Sequence, residues 1–96
     1  VTDAAIFEFR LYIADETLNS GQALANLRAI CGRHLPGRHK IELVNVFKEP
    51  DRAIKDRIFM TPTLVKLAPS PVERIVGTLS QTSLVLQVLG LEDSSA

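Results

Sequence analysis

The chain is predicted to adopt an α/β fold, a mixed sheet with helices on both faces and elements in the order β-α-β-α-β-β-α. Three observations carry that expectation. Residues 6–13 and 40–48 have strand character and flank a stretch whose apolar residues recur at helical spacing. The run Phe59-Met60-Thr61-Pro62-Thr63-Leu64-Val65-Lys66-Leu67 joins an X-Pro bond to β-branched and aliphatic residues, so a helix arriving before Thr61 stops and a strand follows. Pro69 and Pro71 then separate two further strand-like runs, where prolines mark a connection rather than a strand interior. The 96 residues are read as one domain, 1–96.

In the first strand, Phe7, Phe9, Leu11 and Ile13 alternate with Glu8, Arg10 and Tyr12, which predicts one apolar and one polar face. Residues 15–19 form a polar loop, and Asn19 or Ser20 is the expected N-cap of the helix that follows. That helix carries Leu24, Leu27, Cys31 and Leu35 on one stripe, flanked by Ala23 and Ile30, and ends at Pro36-Gly37. The strand 40–48 has Val44 and Val46 on one face and Ile41, Leu43 and Phe47 on the other, which predicts a central or largely covered strand. Glu49-Pro50-Asp51 breaks it. A short charged helix over 51–58 is expected to be exposed and held by Ala53, Ile54 and Ile58.

Strands 63–67 and 72–76 form the hairpin around the two prolines, and Gly77 closes it. Ser80 is the expected cap of a last segment, 81–91, whose aliphatic run suits a buried helix or a strand equally. Residues 92–96 read as a frayed tail.

Composition narrows the function classes. Eleven basic residues balance eleven acidic ones, so no excess positive field points to nucleic acid or an anionic membrane. No apolar run approaches the ~20 residues that span a bilayer, and Val1-Thr2-Asp3 does not begin a signal segment. A single cysteine, Cys31, excludes an internal disulfide framework and suits a reducing compartment, so a cytoplasmic location is expected.

Catalytic chemistry is sparse. Cys31 lies on the apolar stripe late in the first helix, where a small buried core residue is expected rather than a reactive thiol. His34 and His39 have no second thiol or paired carboxylate in ligand spacing and read as solvated loop residues. Ser20-Gly21 lacks the glycine pattern of a phosphate loop. No catalytic residue, metal or cofactor is predicted.

The Thr61-Pro62-Thr63-Leu64 segment resembles the one that carries the cis-proline of thioredoxin-like folds, which makes Pro62 the cis-proline candidate. No thiol stands at the start of the first helix, where an oxidoreductase of that fold would keep one. The whole chain resembles the KaiB family. The likeness rests on Leu11-Tyr12-Ile13-Ala14 followed by Asn19-Ser20, on Asn45-Val46 running to Pro50, and on Thr61 to Lys66. It continues through Pro69-Ser70-Pro71-Val72-Glu73-Arg74-Ile75-Val76-Gly77 to Leu79-Ser80.

The resemblance implies a non-enzymatic circadian clock-type regulator that binds the hexameric ATPase KaiC and modulates its phosphorylation and ATPase state. It further implies KaiA-like and sensor-kinase partners and a homo-oligomer, tetramer or dimer, in the unbound state. It also implies two folds, the thioredoxin-like one and an alternative KaiB ground-state fold of the C-terminal half, with Val88, Leu89 and Gly90 in the segment that switches. Asp56, Arg57, Lys66 and Arg74 are the partner-binding residues it suggests. Several positions depart from the clock members. Asp15 stands where a glycine is common, Ser70 interrupts a proline run, Glu73 replaces the first of two arginines, Val88 replaces a glycine, and Glu42 replaces a basic residue. Those departures suggest a divergent paralogue. The alternative is a thioredoxin-like sensor or protein-interaction module of another signalling system.

Overall fold

The computed structural model describes residues 5–15 and 17–91; the tail at 92–96 and the N-terminal Val1-Thr2-Asp3 lie outside the described residues. In chain order the elements are β1 (Phe7–Ile13), α1 (Leu18–His34), β2 (His39–Asn45), α2 (Pro50–Lys55), β3 (Thr63–Ala68), β4 (Glu73–Val76) and α3 (Thr82–Leu89). The sheet order is β2-β1-β3-β4. The α1 crossover makes β1 and β2 parallel, while β3 is antiparallel to both β1 and β4.

Two cores form because β1 is apolar on both faces. Phe7, Phe9 and Leu11 pack with Leu27 and Cys31 of α1 and with Val85 and Leu89 of α3. On the other face Tyr12, Val44 and Val65 pack with Ala53 of α2. The expected polar face of β1 is therefore polar only at Glu8 and Arg10, and Tyr12 is fully buried.

β2 is an edge strand, not a central one. Its apolar residues on both faces meet the two helical layers, Ile41 on the α1 side and Val44 on the α2 side, and report nothing about lateral neighbours. It ends at Asn45, whose side-chain Oδ1 accepts from the Phe47 amide at 2.9 Å and turns the chain.

The helix ends also differ from expectation. Thr17 caps α1, its Oγ1 accepting from the Ser20 amide at 3.2 Å, so Leu18 and Asn19 belong to the helix rather than the loop. α2 stops at Lys55 because Arg57 takes a left-handed φ of 56°. Ile54 is 73% exposed, leaving Ala53 and Ile58 as the anchors. The last segment is a helix whose N-cap is Gln81 rather than Ser80 and makes no side-chain bond. Gly90 closes it at φ 75°, and the Leu91 amide reaches back to the Leu86 carbonyl at 2.7 Å.

Asp15 has φ 55° and accepts from the Asn45 side chain at 2.8 Å. Aspartate is among the few non-glycine residues that tolerate this region.

Candidate functional site

At the start of α1 the side-chain hydroxyls are taken up by the helix cap. Thr17 Oγ1 donates to Ser20 Oγ at 2.8 Å, and Ser20 Oγ accepts from the Ala14 amide at 3.3 Å, so the hydroxyls serve the cap. Cys31 is fully buried between α1 and the sheet, and burial pushes its thiol up to about 11, so the thiolate is scarce at neutral pH. His34 closes α1, and His39 opens β2 with its ring Nδ1 donating to the Leu35 carbonyl at 2.8 Å, so neither is a loop residue.

Charge concentrates on the α2 face. Arg10 bridges Glu42 at 2.9 Å and Asp56 at 3.1 Å, and Arg52 reaches Glu42 at 2.8 Å and Glu49 at 3.3 Å. Tyr12 donates its phenolic hydrogen to the same Asp56 oxygen that Arg10 meets. Hydrogen bonds from Arg52 and Arg10 lower the Glu42 carboxyl to about 2. The bond from Tyr12, helped by Arg10, lowers the Asp56 carboxyl against the opposing effect of burial. Burial, followed by the bond to Asp56, raises the Tyr12 hydroxyl. The network clamps α2 to β1 and β2 and keeps Asp56 ionised.

Beside this clamp lies a shallow cleft of about 170 Å³, lined by Arg57, Phe59, Met60, Thr63, Arg74 and Val76 among others. Phe59 is 89% exposed and Met60 64% exposed, immediately before the Thr61–Pro62 bond, which is cis. Arg57 and Arg74 are exposed, and Arg74 Nη1 sits 3.5 Å from the Arg57 carbonyl. The result is a cationic rim around an apolar surface.

The structure brings Asp56, Arg57 and Arg74 together but excludes Lys66. Arg74 pairs with Val65 and shares the α2 face, whereas Lys66 pairs with Glu73 and points to the opposite face. There it is only 4% exposed, with Nζ 5.8 Å from the centroid of the Phe7 ring. Strand alternation makes that separation inevitable once Val65 and Leu64 take opposite cores. Asp56 is not a free contact either, because Arg10 and Tyr12 hold its carboxylate inward. Val88, Leu89 and Gly90 form the end of α3, with Leu89 in the core.

Sequence reasoning missed Tyr12 and the Arg10–Glu42–Arg52 network, which join residues far apart in the chain. It also passed over Phe59 and Met60. Their position between a helix end and an X-Pro bond, outside any apolar period, was the available signal.

Comparison with known proteins supplies the family. A family model described as the KaiB domain matches residues 10–91. The circadian clock protein KaiB3 of Synechocystis is 42% identical over 83 residues, covering 86% of this chain and 79% of that protein. The circadian clock oscillator protein KaiB of Gloeothece citriformis is 38% identical over 86 residues, covering 90% of this chain and 79% of the relative. Among solved structures, the N-terminal domain of Synechococcus elongatus SasA superposes with a TM-score of 0.73 at 19% identity, covering 98% of this chain and 92% of that one. Chloroplastic thioredoxin z gives the same TM-score at 20% identity, covering 90% of this chain and 78% of that one. At such identities the likeness establishes the thioredoxin-like fold and nothing more.

Proposed function

The chain belongs to the KaiB family, and from that premise we propose that it is a non-enzymatic clock regulator that docks on a KaiC-type hexameric ATPase and modulates its phosphorylation and ATPase state. Family membership supports the broader role of circadian clock regulator. The observation that supports docking is the cleft where Arg57 and Arg74 flank exposed Phe59, Met60 and Val76. An exposed aromatic and a methionine bordered by arginines match what interface centres contain. The complementary partner is an acidic segment that presents an apolar side chain, for which the arginines provide orientation and specificity more than affinity. Lys66, buried on the far face, has no place in this surface.

In this reading the docked form is the thioredoxin-like one. KaiA-like proteins and a sensor kinase are its further partners, and the segment Val88-Leu89-Gly90 belongs to the part that repacks in an alternative, self-associated state. The protein works in the cytoplasm.

Size-exclusion chromatography with light scattering tests the proposal, using the chain incubated for hours with a hexameric KaiC-type ATPase and nucleotide. Wild type is expected to co-elute with the hexamer, and Arg57→Glu/Arg74→Glu is expected to stay free. A wild-type chain that never joins the hexamer removes the ATPase and leaves the sensor or interaction-module function. Co-elution that survives the double substitution places docking on another surface.

A further inference from the structure

β1 and β2 are adjacent and parallel, yet the chain leaves their carboxyl ends towards opposite faces of the sheet. After β1 it enters α1, which packs with Phe9 and Leu11; after β2 it enters α2, which packs with Tyr12 and Val44. Connections that diverge from neighbouring parallel strands leave a crevice at the strand ends, and open α/β sheets bind their ligands in it. Here the crevice is a cavity of about 330 Å³ between Ile13 at the end of β1, Leu43 near the end of β2 and the first two turns of α1. That volume lies in the range of small-molecule sites.

Gly21 keeps the cavity open. Its amide donates to the Thr17 carbonyl at 3.0 Å, so it is an ordinary member of the helix, where only proline is less favourable than glycine. Its φ is not left-handed, and a Cβ added there would meet nothing within 4 Å, so neither the backbone nor the packing calls for glycine. What the missing side chain leaves is room on the cavity wall.

The wall is apolar along its length and polar at one end. Ile13 and Leu24 are half-buried against the core, and Leu43 is 40% exposed. Thr17 and Ser20 spend their hydroxyls on each other and on the Ala14 amide. Among the described residues Asp15 carries the only charge on the lining. Its exposed carboxylate accepts from Asn45 at 2.8 Å through one oxygen and has acceptor sites left for another donor.

We propose that this cavity binds a small aliphatic amine as its ammonium ion, with the alkyl chain against Ile13, Leu24 and Leu43 and the ammonium on Asp15. The start of α1 contributes a partial positive charge of roughly half a unit, which the full negative charge of Asp15 outweighs, so the polar end selects a cation over an anion. The cavity shares no lining residue with the Arg57–Arg74 cleft, and the inference does not depend on the ATPase partner.

Titration of the isotope-labelled chain with n-hexylammonium chloride, followed by amide NMR with no ATPase present and the chloride concentration matched, tests it. Saturable shifts are expected at Ile13, Gly21 and Leu43, with a Kd in the millimolar range or below. Each methylene removed from the chain should weaken binding by up to about fourfold. Hexylammonium should bind about two- to fivefold more tightly than hexanoate, and Asp15→Asn, which keeps a residue tolerant of the left-handed region, should erase that preference and leave hexan-1-ol unaffected. Gly21→Leu should lower the affinity at least about tenfold by filling the cavity, while raising the denaturation midpoint because leucine suits a helix better. Nα-acetyl-lysine methylamide, the same ammonium on a protein-like stem, should bind more weakly than hexylammonium. No saturable shift at the three amides, hexanoate binding wild type as tightly as hexylammonium, or a folded Gly21→Leu that binds as wild type does would overturn the proposal. The hexanoate comparison needs no variant, so it decides even if Gly21→Leu does not fold. Equal affinity for the lysine derivative would assign the cavity to a protein side chain and overturn the free amine.

Discussion

Tyr12 on β1 donates its hydroxyl hydrogen to Asp56 at the end of α2, joining the central strand to a surface helix across 44 positions of sequence. The ring is buried between α2 and the sheet while Arg10 approaches the same carboxylate oxygen from the exposed side. Removing only the hydroxyl, in Tyr12→Phe, keeps the packing and withdraws one charge-assisted bond. Loss of about 1–2 kcal/mol of unfolding free energy is expected in a urea titration.

Acid should loosen the same clamp. Glu42 and Asp56 have folded carboxyls lowered below their ordinary values, so the unfolded chain binds protons more readily than the folded one. Their contribution is complete above the ordinary carboxylate range and is lost as pH falls through it towards about 2, the folded value of Glu42. Glu42 is 46% exposed, so solvent screens its bridges and their contribution is small. Glu42→Gln should flatten the dependence of stability on pH between about 4 and 2, as followed by circular dichroism.

Lys66 distinguishes packing from docking. Lys66→Glu would set a carboxylate against the Phe7 ring at a 4% exposed position, and a drop in stability of about 2 kcal/mol or more is expected. Lys66→Met keeps the aliphatic stem and should retain both the fold and ATPase binding. A binding titration in which the methionine variant loses affinity would return Lys66 to the docking surface.

The Cys31 thiol should be silent in the folded protein, being buried and raised to about 11. A chromogenic disulfide reagent is expected to react with one equivalent only after denaturant is added. Rapid reaction without denaturant would restore a redox role.

Gly90 ends α3 in the left-handed region, and a Cβ added there would meet nothing within 4 Å. Its replacement by alanine therefore costs only backbone strain, about 1 kcal/mol. The expected result is a lowered denaturation midpoint with an unchanged spectrum.

Local signals determined most of the fold. Alternation in 6–13, helical spacing in α1, the Thr61-Pro62 junction and the proline hairpin each act over a few residues, so the element order could be read directly, while the ends of β2 and of the helices were set by caps and turns. The KaiB resemblance was equally open, since it depends on contiguous motifs. What tertiary structure alone decided is which surfaces meet. The apolar pattern of β2 reports contact with two helical layers but not its place at the sheet edge, because lateral pairing is made by backbone groups that every residue shares. Lys66 and Arg74 look alike as charged strand residues, yet alternation across paired strands buries one over Phe7 and exposes the other beside Arg57. Tyr12 became a buried donor only when α2 folded back onto β1, a contact whose partners lie too far apart in the chain for any local period to encode.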